Sequence, residues 1–507
     1  MNYSDAKFLA YIYGILRGHA AEPSKLLGMA QDLGQYEGIL REKCAAMKFS
    51  STTRPASESN IALLCALHEL ADVIERNAAD RPALLQEYLA KKMNDLKDDE
   101  KEIKIAFLTH EYSCWPSFKP IYDHLSKLEH IDAQIIVSYS INIHFANVFY
   151  DLNFYKSMLN DYRNAGYREA FSMYEYNIAV ESPDIVFFMK PYYCRGNMPY
   201  FQVNDVEKHT PYTVYVPYCL DTQGGKELIK YFYQLAPFYH FWRIIGYSNI
   251  YKKMHARYGY RNGENVMTIG HPKFDIAYDA SHARSSNCWH DAVKGRPAVL
   301  WNTHFSIEED VGVGTYFLYK DVVFEYFKQH NDIVLIWRPH PIFWQRITKQ
   351  SQEVVRDFKK TLNELAKYDN IIIDKQPDYL DAFSASTAMI SDATTFLLEY
   401  RASGNPVLYT SKPGGERVSH EEYLEGIVEA EGPEDIISFL EAVRTGQTAE
   451  MRAASVQSFN RILGHSDGRV SERICDYVLK EMDADLQRRA ESLFISLQNE
   501  GRRERAK

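Results

Sequence analysis

The run Ile333-Val334-Leu335-Ile336-Trp337 leads straight into Arg338-Pro339-His340-Pro341. A short apolar run bounded by such residues reads as a strand buried on both faces. A residue that precedes proline is held extended, so Arg338 and His340 stand rigidly at the strand's exit. Arginine there offers a planar fork for phosphate oxygens, and histidine donates a hydrogen bond or shuttles a proton. The plainer alternative is a packed strand end capped by solvent; the functional reading is the one taken forward.

The same grammar extends in both directions. Val266 to Gly270, Ala298 to Trp301, Ile371 to Asp374, Ala388 to Ser391 and Pro406 to Tyr409 join Ile333 to Trp337 in one series of short apolar runs. Upstream, Ile103 to Leu108, Ala133 to Val137, Asp184 to Met189, Thr213 to Val216 and Ile244 to Gly246 form another. Longer helix-capable stretches separate the runs, which is the pattern of parallel sheets built from βαβ units. Two series predict two doubly wound α/β domains, with ligands beyond the carboxyl ends of the strands. Residues 1 to about 96 read instead as helices. Leu63, Leu67, Leu70 and Ile74 share one helical face, and Leu85, Leu89 and Leu96 repeat it after Pro82. Breaks are expected near Glu22-Pro23 and Ser50 to Ser57, and the charged run Lys97 to Glu102 reads as a solvated linker. The helical segment carries no chemical motif; packing, self-association and holding an acceptor are its expected roles.

The polar residues that follow the runs are therefore the candidates. Ala388-Met389-Ile390-Ser391 ends in Asp392-Ala393-Thr394-Thr395, where a helix start would gather free backbone N–H groups, hydroxyls and a positive dipole end into an anion site. Glu399 lies further along that helix, placed to meet a ribose edge; ordinary N-capping by Ser391 and Asp392 is the alternative. Trp301-Asn302-Thr303-His304 and Leu108-Thr109-His110-Glu111 end two more runs, and their histidines are candidate bases or phosphate donors. Ile269-Gly270-His271-Pro272-Lys273-Phe274-Asp275 reads first as an ordered turn opening the second sheet, with Lys273 as a candidate substrate contact.

Composition sets the outer bounds. The 507 residues carry 58 Lys plus Arg against 68 Asp plus Glu, a formal net charge of −10, which argues against broad charge neutralisation of nucleic acid. Seven scattered cysteines without a CxxC fit reduced cytoplasmic thiols rather than a disulfide framework or a zinc site. Asp184, Asp221, Asp374 and Asp378 show no metal-site pattern, and Gly224-Gly225-Lys226-Glu227 lacks the spacing of a phosphate-binding loop. No stretch reaches the roughly 20 apolar residues of a membrane helix; the longest, Leu235 to Ile245, is cut by His240 and Arg243. The amino terminus lacks a signal-peptide layout, so the expected location is cytoplasmic. The tail from Arg488 to Lys507 is basic, with Leu493, Phe494 and Leu497 upstream of its end; contact with anionic headgroups and a frayed terminus are both open. Tyrosine is in excess, at 37 residues. Tyr192, Tyr193, Tyr200, Tyr212, Tyr215 and Tyr218 cluster where an acceptor would lie, as a polyol- or sugar-binding wall or as core.

In order, Gly270-His-Pro-Lys-x-Asp275, Trp301 to His304, Arg338-Pro-His-Pro, Asp378-x-x-Asp381, Ser391-Asp-Ala-Thr-Thr395, Asn405-Pro-Val-Leu-Tyr409 and Asp467-Gly-Arg-Val-Ser-Glu-Arg473 resemble the CDP-glycerol glycerophosphotransferase family of teichoic acid and capsule synthesis. Pro183 to Phe188 and Tyr215-Val-Pro-Tyr218 are similar to capsule-type members, so the resemblance covers roughly residues 103 to 480. It implies an α/β, GT-B-like architecture of two facing Rossmann-like doubly wound domains with an added N-terminal α-helical domain. The domains would be 1–98 (helical), 103–262 (acceptor), 263–480 (nucleotide donor) and 481–507 (basic C-terminal helix or tail). Arg338 and His340 would contact the donor pyrophosphate, which Ser391, Asp392, Thr394 and Thr395 would receive. Tyr218 would stand at the acceptor side. Teichoic acid polymerases carry a His-Gly pair where this chain has Tyr218-Cys219, so the base role passes to His110 or His304.

The expected reaction moves a polyol phosphate from a CDP-linked donor to a hydroxyl of a polysaccharide or lipid-linked acceptor and releases CMP. No metal and no cofactor beyond the donor is expected, nor any nucleic-acid partner. Contact with the inner membrane face and a homo-oligomer belong to the same expectation. A glycosyltransferase using a CMP-, UDP- or GDP-sugar, and a non-catalytic scaffold of a polysaccharide-synthesis complex, are the other readings.

Overall fold

Alternating runs of β-branched residues and helices give two sheets. In this computed structural model the described residues are 3–18, 66–74, 82–98, 102–138, 152–191, 201–222, 226–282, 288–307, 313–376, 378–392, 395–414 and 417–505. The first sheet comprises β1 (Ile103–Thr109), β2 (Ile131–Val137), β3 (Phe171–Ser172), β4 (Ile185–Phe188), β5 (Tyr212–Tyr215), β6 (Arg243–Gly246) and β7 (Val266–Thr268), in the order β3-β2-β1-β4-β5-β6-β7. The second comprises β8 (Ala298–Thr303), β9 (Val334–Pro339), β10 (Ile371–Ile373), β11 (Ala388–Ser391), β12 (Val407–Thr410) and β13 (Val428–Ala430), in the order β10-β9-β8-β11-β12-β13. Every strand pair in both is parallel. The chain is thus α/β and GT-B-like, two doubly wound units plus N-terminal helix.

One strand sits elsewhere than expected. Val266 to Gly270 was expected to open the second series, but β7 is the last strand of the first sheet, with Val266 opposite Ile244 of β6. The helix Asn249–Tyr258 returns the chain beside β6, the ordinary geometry of a parallel crossover. Gly270, just after β7, has φ +118°, and a Cβ there would come within 2.9 Å of Val470.

Alternation along the strands fills both faces of each sheet. In β9, Val334 and Ile336 join the core shared with the first sheet, whereas Leu335 and Trp337 point into a second core. In that second core Trp337 stacks on Tyr316 at 5.2 Å between ring centroids. Two-sided burial is what keeps these strands continuously apolar.

The N-terminal helix Tyr3–Gly18 buries Leu9, Ile12 and Leu16 against the helices at 66–74 and Pro82–Asp98, where Leu67, Leu70, Ile74, Leu85 and Leu89 are buried. Leu63, Glu22-Pro23 and Ser50 to Ser57 lie outside the described residues. Ser4 donates through its N–H and hydroxyl to Asp184 at 2.8 and 2.7 Å, and Lys104 N–H reaches the other oxygen at 2.9 Å. Because Asp184 precedes β4 and Lys104 begins β1, this helix docks at the end of the first sheet opposite its ligand edge. Its observed role is packing.

The helix Val470–Arg505 runs unbroken through residue 480, so no joint marks the start of the basic tail. It closes against the N-terminal helix, where Tyr11 OH donates to Asp483 at 2.8 Å. Its first turn is capped from far away in sequence: the Asp275 carboxylate accepts from Val470 N–H at 2.8 Å and Ser471 N–H at 2.6 Å. Asp275→Ala is expected to strand two buried donors and cost about 2–3 kcal/mol in urea unfolding. Among the described residues no helix is long and apolar enough to cross a membrane.

Candidate active site

In each sheet the winding direction reverses between two neighbouring strands, β1 and β4 in the first and β8 and β11 in the second. Crevices open there beyond the carboxyl ends. In the second sheet, His304 follows β8, His340 follows β9, and Ser391 and Asp392 end β11. The His304 and His340 rings lie 6.1 Å apart between centroids, with Phe305 4.8 Å from His340.

Hydrogen bonds fix the tautomers of both rings. Ser306 Oγ accepts from Val313 N–H at 3.1 Å and Gly314 N–H at 3.2 Å, so its own proton goes to His304 Nδ1 at 2.7 Å. Ser306 N–H also reaches that nitrogen, at 3.1 Å. His340 caps the helix Pro341–Ile347, its Nδ1 accepting from Ile342 N–H at 3.2 Å. With Nδ1 accepting, the neutral ring carries its proton on Nε2 in each case. Burial, reinforced by His340 and Lys412, lowers His304 to about 3, and burial lowers His340 to about 4. Both are therefore neutral N–H donors near pH 7.

Asp392 ties this end together. Its carboxylate is fully buried and accepts from His304 N–H at 2.9 and 3.0 Å and from Thr315 N–H at 3.1 Å. Burial raises it to about 7, against those hydrogen bonds. Ser391 is also fully buried, its hydroxyl donating to Asp392 O at 3.0 Å. These two read as substrate contacts in the sequence, and the structure gives both protein partners. Thr395 stands half-buried at the N-cap of the short helix Phe396–Glu399; Thr394 lies outside the described residues.

Arg338 is likewise engaged from within. It donates to Asp374 at 2.5 Å, Gln376 O at 2.8 Å and Asp378 O at 3.1 Å, fastening the loop after β10. Lys273 pairs with Glu399 at 3.0 Å, and the second Glu399 oxygen accepts from Tyr379 OH at 3.2 Å. Glu399, expected at a ribose edge, is fully buried with both oxygens held by protein. His271, just after β7, donates from Nε2 to Pro217 O at 2.7 Å while Nδ1 accepts from Lys273 N–H at 3.2 Å.

Residues 243–480, which carry every one of these second-sheet groups, match the family model described as CDP-glycerol:poly(glycerophosphate) glycerophosphotransferase. Over these residues the chain is similar to CDP-glycerol glycerophosphotransferases. A solved UDP-N-acetylglucosamine 2-epimerase is similar over 75% of this chain and 96% of its own, at 13% identity and a TM-score of 0.51, which shows the shared fold. The wall teichoic acid polymerase TagF is similar over 80% of this chain and 95% of its own, at 14% identity and a TM-score of 0.47. No curated protein sequence matches the chain.

The first sheet departs more from expectation. His110, a candidate base, is fully buried, with Nδ1 3.1 Å from Ser138 O. Burial, then the nearby Lys190 charge, holds it well below the ordinary histidine range. It has no surface to offer an acceptor, because its side chain falls on the core side of the β1 exit. Its neighbour Glu111, which the sequence reading passed over, pairs with Lys190 at 2.5 Å. Lys190 Nζ lies 5.1 Å from the centre of the Tyr218 ring, and Tyr218 is half-buried.

Two residues of the expected tyrosine wall, Tyr212 and Tyr215, are core. Tyr212 is buried with its hydroxyl on Asp485 at 3.2 Å, and Tyr215 stacks on Phe241 at 5.1 Å. Tyr192, Tyr193 and Tyr200 lie outside the described residues. Other tyrosines pack round Asp221, whose N–H donates to Tyr247 OH at 2.8 Å and whose carboxylate accepts from Tyr233. Among the described residues no cluster of His, Cys, Asp and Glu is arranged to hold a metal ion.

Proposed function

We propose that the chain transfers a glycerol-phosphate-type group from a CDP-activated donor to a hydroxyl of a surface-polysaccharide or teichoic-acid-like acceptor, releasing CMP. The observation that carries this reading is the pair of neutral Nε2–H imidazoles, His304 and His340, fixed side by side at the exits of adjacent strands. Preset N–H donors are what a transferring phosphate and a departing CMP require, since such reactions rest on positioning and charge stabilisation. Thr395 would add its hydroxyl at the helix start, and Arg338 would act by fastening the loop that borders the phosphates. Lys273 and Glu399 would hold the wall behind them. The reading asks for no cofactor beyond the donor, and for contact with the inner membrane face only where the acceptor is lipid-linked.

A thermal-shift panel of CDP-glycerol, CDP-ribitol, CMP and UDP-sugars tests it. A ligand at 100 times its Kd adds about 2.7 kcal/mol to stability. The CDP-linked compounds and CMP are expected to raise Tm; a response to UDP-sugars alone overturns the donor assignment. With a donor and acceptor supplied, a new phosphodiester in the product is the expected result, and a glycosidic bond would contradict it.

A further inference from the structure

The switch point of the first sheet carries an ion pair of its own. Glu111 follows β1 and Lys190 follows β4, the two strands between which winding reverses, and their side chains meet at 2.5 Å. Lys190 is only 7% exposed along its side chain, whereas Glu111 keeps 31%. The pair lies at the seam between the two units. Lys190 sits over the Tyr218 ring, Tyr218 N–H donates to Met189 O at 3.1 Å, and the adjoining Pro217 O receives His271 Nε2 at 2.7 Å. Cys114 feels the charges of Lys190, Glu111 and Lys273, the last paired with Glu399 of the second unit.

An acceptor hydroxyl entering this crevice has to lose a proton. Among the described residues at these strand exits, His110 is fully buried and Asp221 is 3% exposed with its carboxylate bound to Tyr233. Burial pushes the thiol of Cys219 up to about 12 and that of Cys114 up as well. Lys190 is a cation already committed to Glu111. One carboxylate with solvent access at the switch point is left. We propose that Glu111 is the general base of the transfer, with Lys190 as the positioning residue that aims its carboxylate.

This rests on the transfer reading above. In the step, the acceptor oxygen bonds to the distal phosphorus of CDP-glycerol as the bond from that phosphorus to the bridging oxygen breaks. The electron pair leaves with CMP, and the hydroxyl proton passes to Glu111. His304 and His340 serve the phosphate side, so acid–base work and charge stabilisation fall on opposite units.

The experiment follows CMP release from CDP-glycerol with an oligo(glycerol phosphate) acceptor, together with the Tm shift given by CMP. Glu111→Gln keeps an acceptor for Lys190 but removes basicity. Its kcat is expected to fall by about 10²- to 10⁴-fold, with the CMP-induced Tm shift unchanged. Glu111→Asp is expected to recover at least about tenfold over the Gln variant, since it restores a carboxylate. A Gln variant within about tenfold of the parent, or Asp and Gln variants equally low while folded, overturns the assignment. A parent protein that neither binds CMP nor releases it from CDP-glycerol fails at the transfer reading instead, before Glu111 is in question.

Discussion

His340→Ala is expected to lower CMP release by about 10²- to 10³-fold, roughly 3–4 kcal/mol of transition-state stabilisation. The size follows from what the imidazole is in the folded chain. Burial has lowered it to about 4, so near pH 7 it is a neutral donor through Nε2, held in place by the hydrogen bond from Ile342 N–H. A fixed donor of this kind matters most where charge develops on phosphate oxygens. His340 also caps the helix Pro341–Ile347, and losing a cap costs about 1 kcal/mol. His340→Asn separates the two roles: asparagine caps well but is too short to bring an N–H where the ring places one. Stability is expected to survive in the Asn variant while the rate falls as in Ala. Near-normal turnover in a folded Ala variant would remove the phosphate role from this strand exit. Since the ring is neutral throughout, its contribution is expected to be flat between pH 5 and 8.

How much of this was legible in the sequence depends on the distance over which each feature is decided. The run into Arg338-Pro339-His340 predicted a strand exit carrying polar groups, and β9 ends there. Apolar runs and proline act within a few residues, so they can be read locally. Sheet membership cannot. Val266 to Thr268 looks like any parallel strand, and only the pairing of Val266 with Ile244 assigns it to the first sheet. The strands β3 and β13, of 2 and 3 residues, leave no run to notice. The protein partners of Arg338, Lys273, Glu399 and Asp392 were not legible for one reason: they lie 36, 126 and up to 88 residues away. A sequence shows that a charged group stands at a strand exit; it does not show whether protein or ligand satisfies it. Glu111 is the converse. It stood beside the more conspicuous His110, and nothing local said that the histidine would be buried and the carboxylate left at the surface. The tyrosine excess misled in the same way, since Tyr233 and Tyr247 are spent on a buried Asp221.

Acid should unfold this chain, for His110, His255, His271 and His304 are buried. Burial lowers His255, His271 and His304 to about 3 and His340 to about 4, and His110 lies well below the ordinary value. In the unfolded chain each returns to about 6.5. Between those limits the unfolded state binds protons that the folded state refuses, so this stability is complete above pH 6.5 and drains away as pH falls. Carboxylates that burial raises oppose it, Asp184, Asp275 and Asp279 among them. Burial raises Asp392 to about 7 and Asp221 to about 6, so on acidification the folded state takes up protons there before the unfolded state does. Near pH 5 the unfolded state keeps a surplus of protons, so stability falls as the pH is lowered. Urea midpoints at pH 7, 6, 5.5 and 5 are expected to fall throughout and fastest below 6. His255 offers the cleanest check, because it packs among Tyr233, Phe238 and Tyr251 and lies outside the candidate site. His255→Leu removes one refused proton and is expected to flatten the slope by about 1.4 kcal/mol per pH unit. An unchanged slope in that variant would mean that the acid sensitivity arises from groups other than the buried imidazoles.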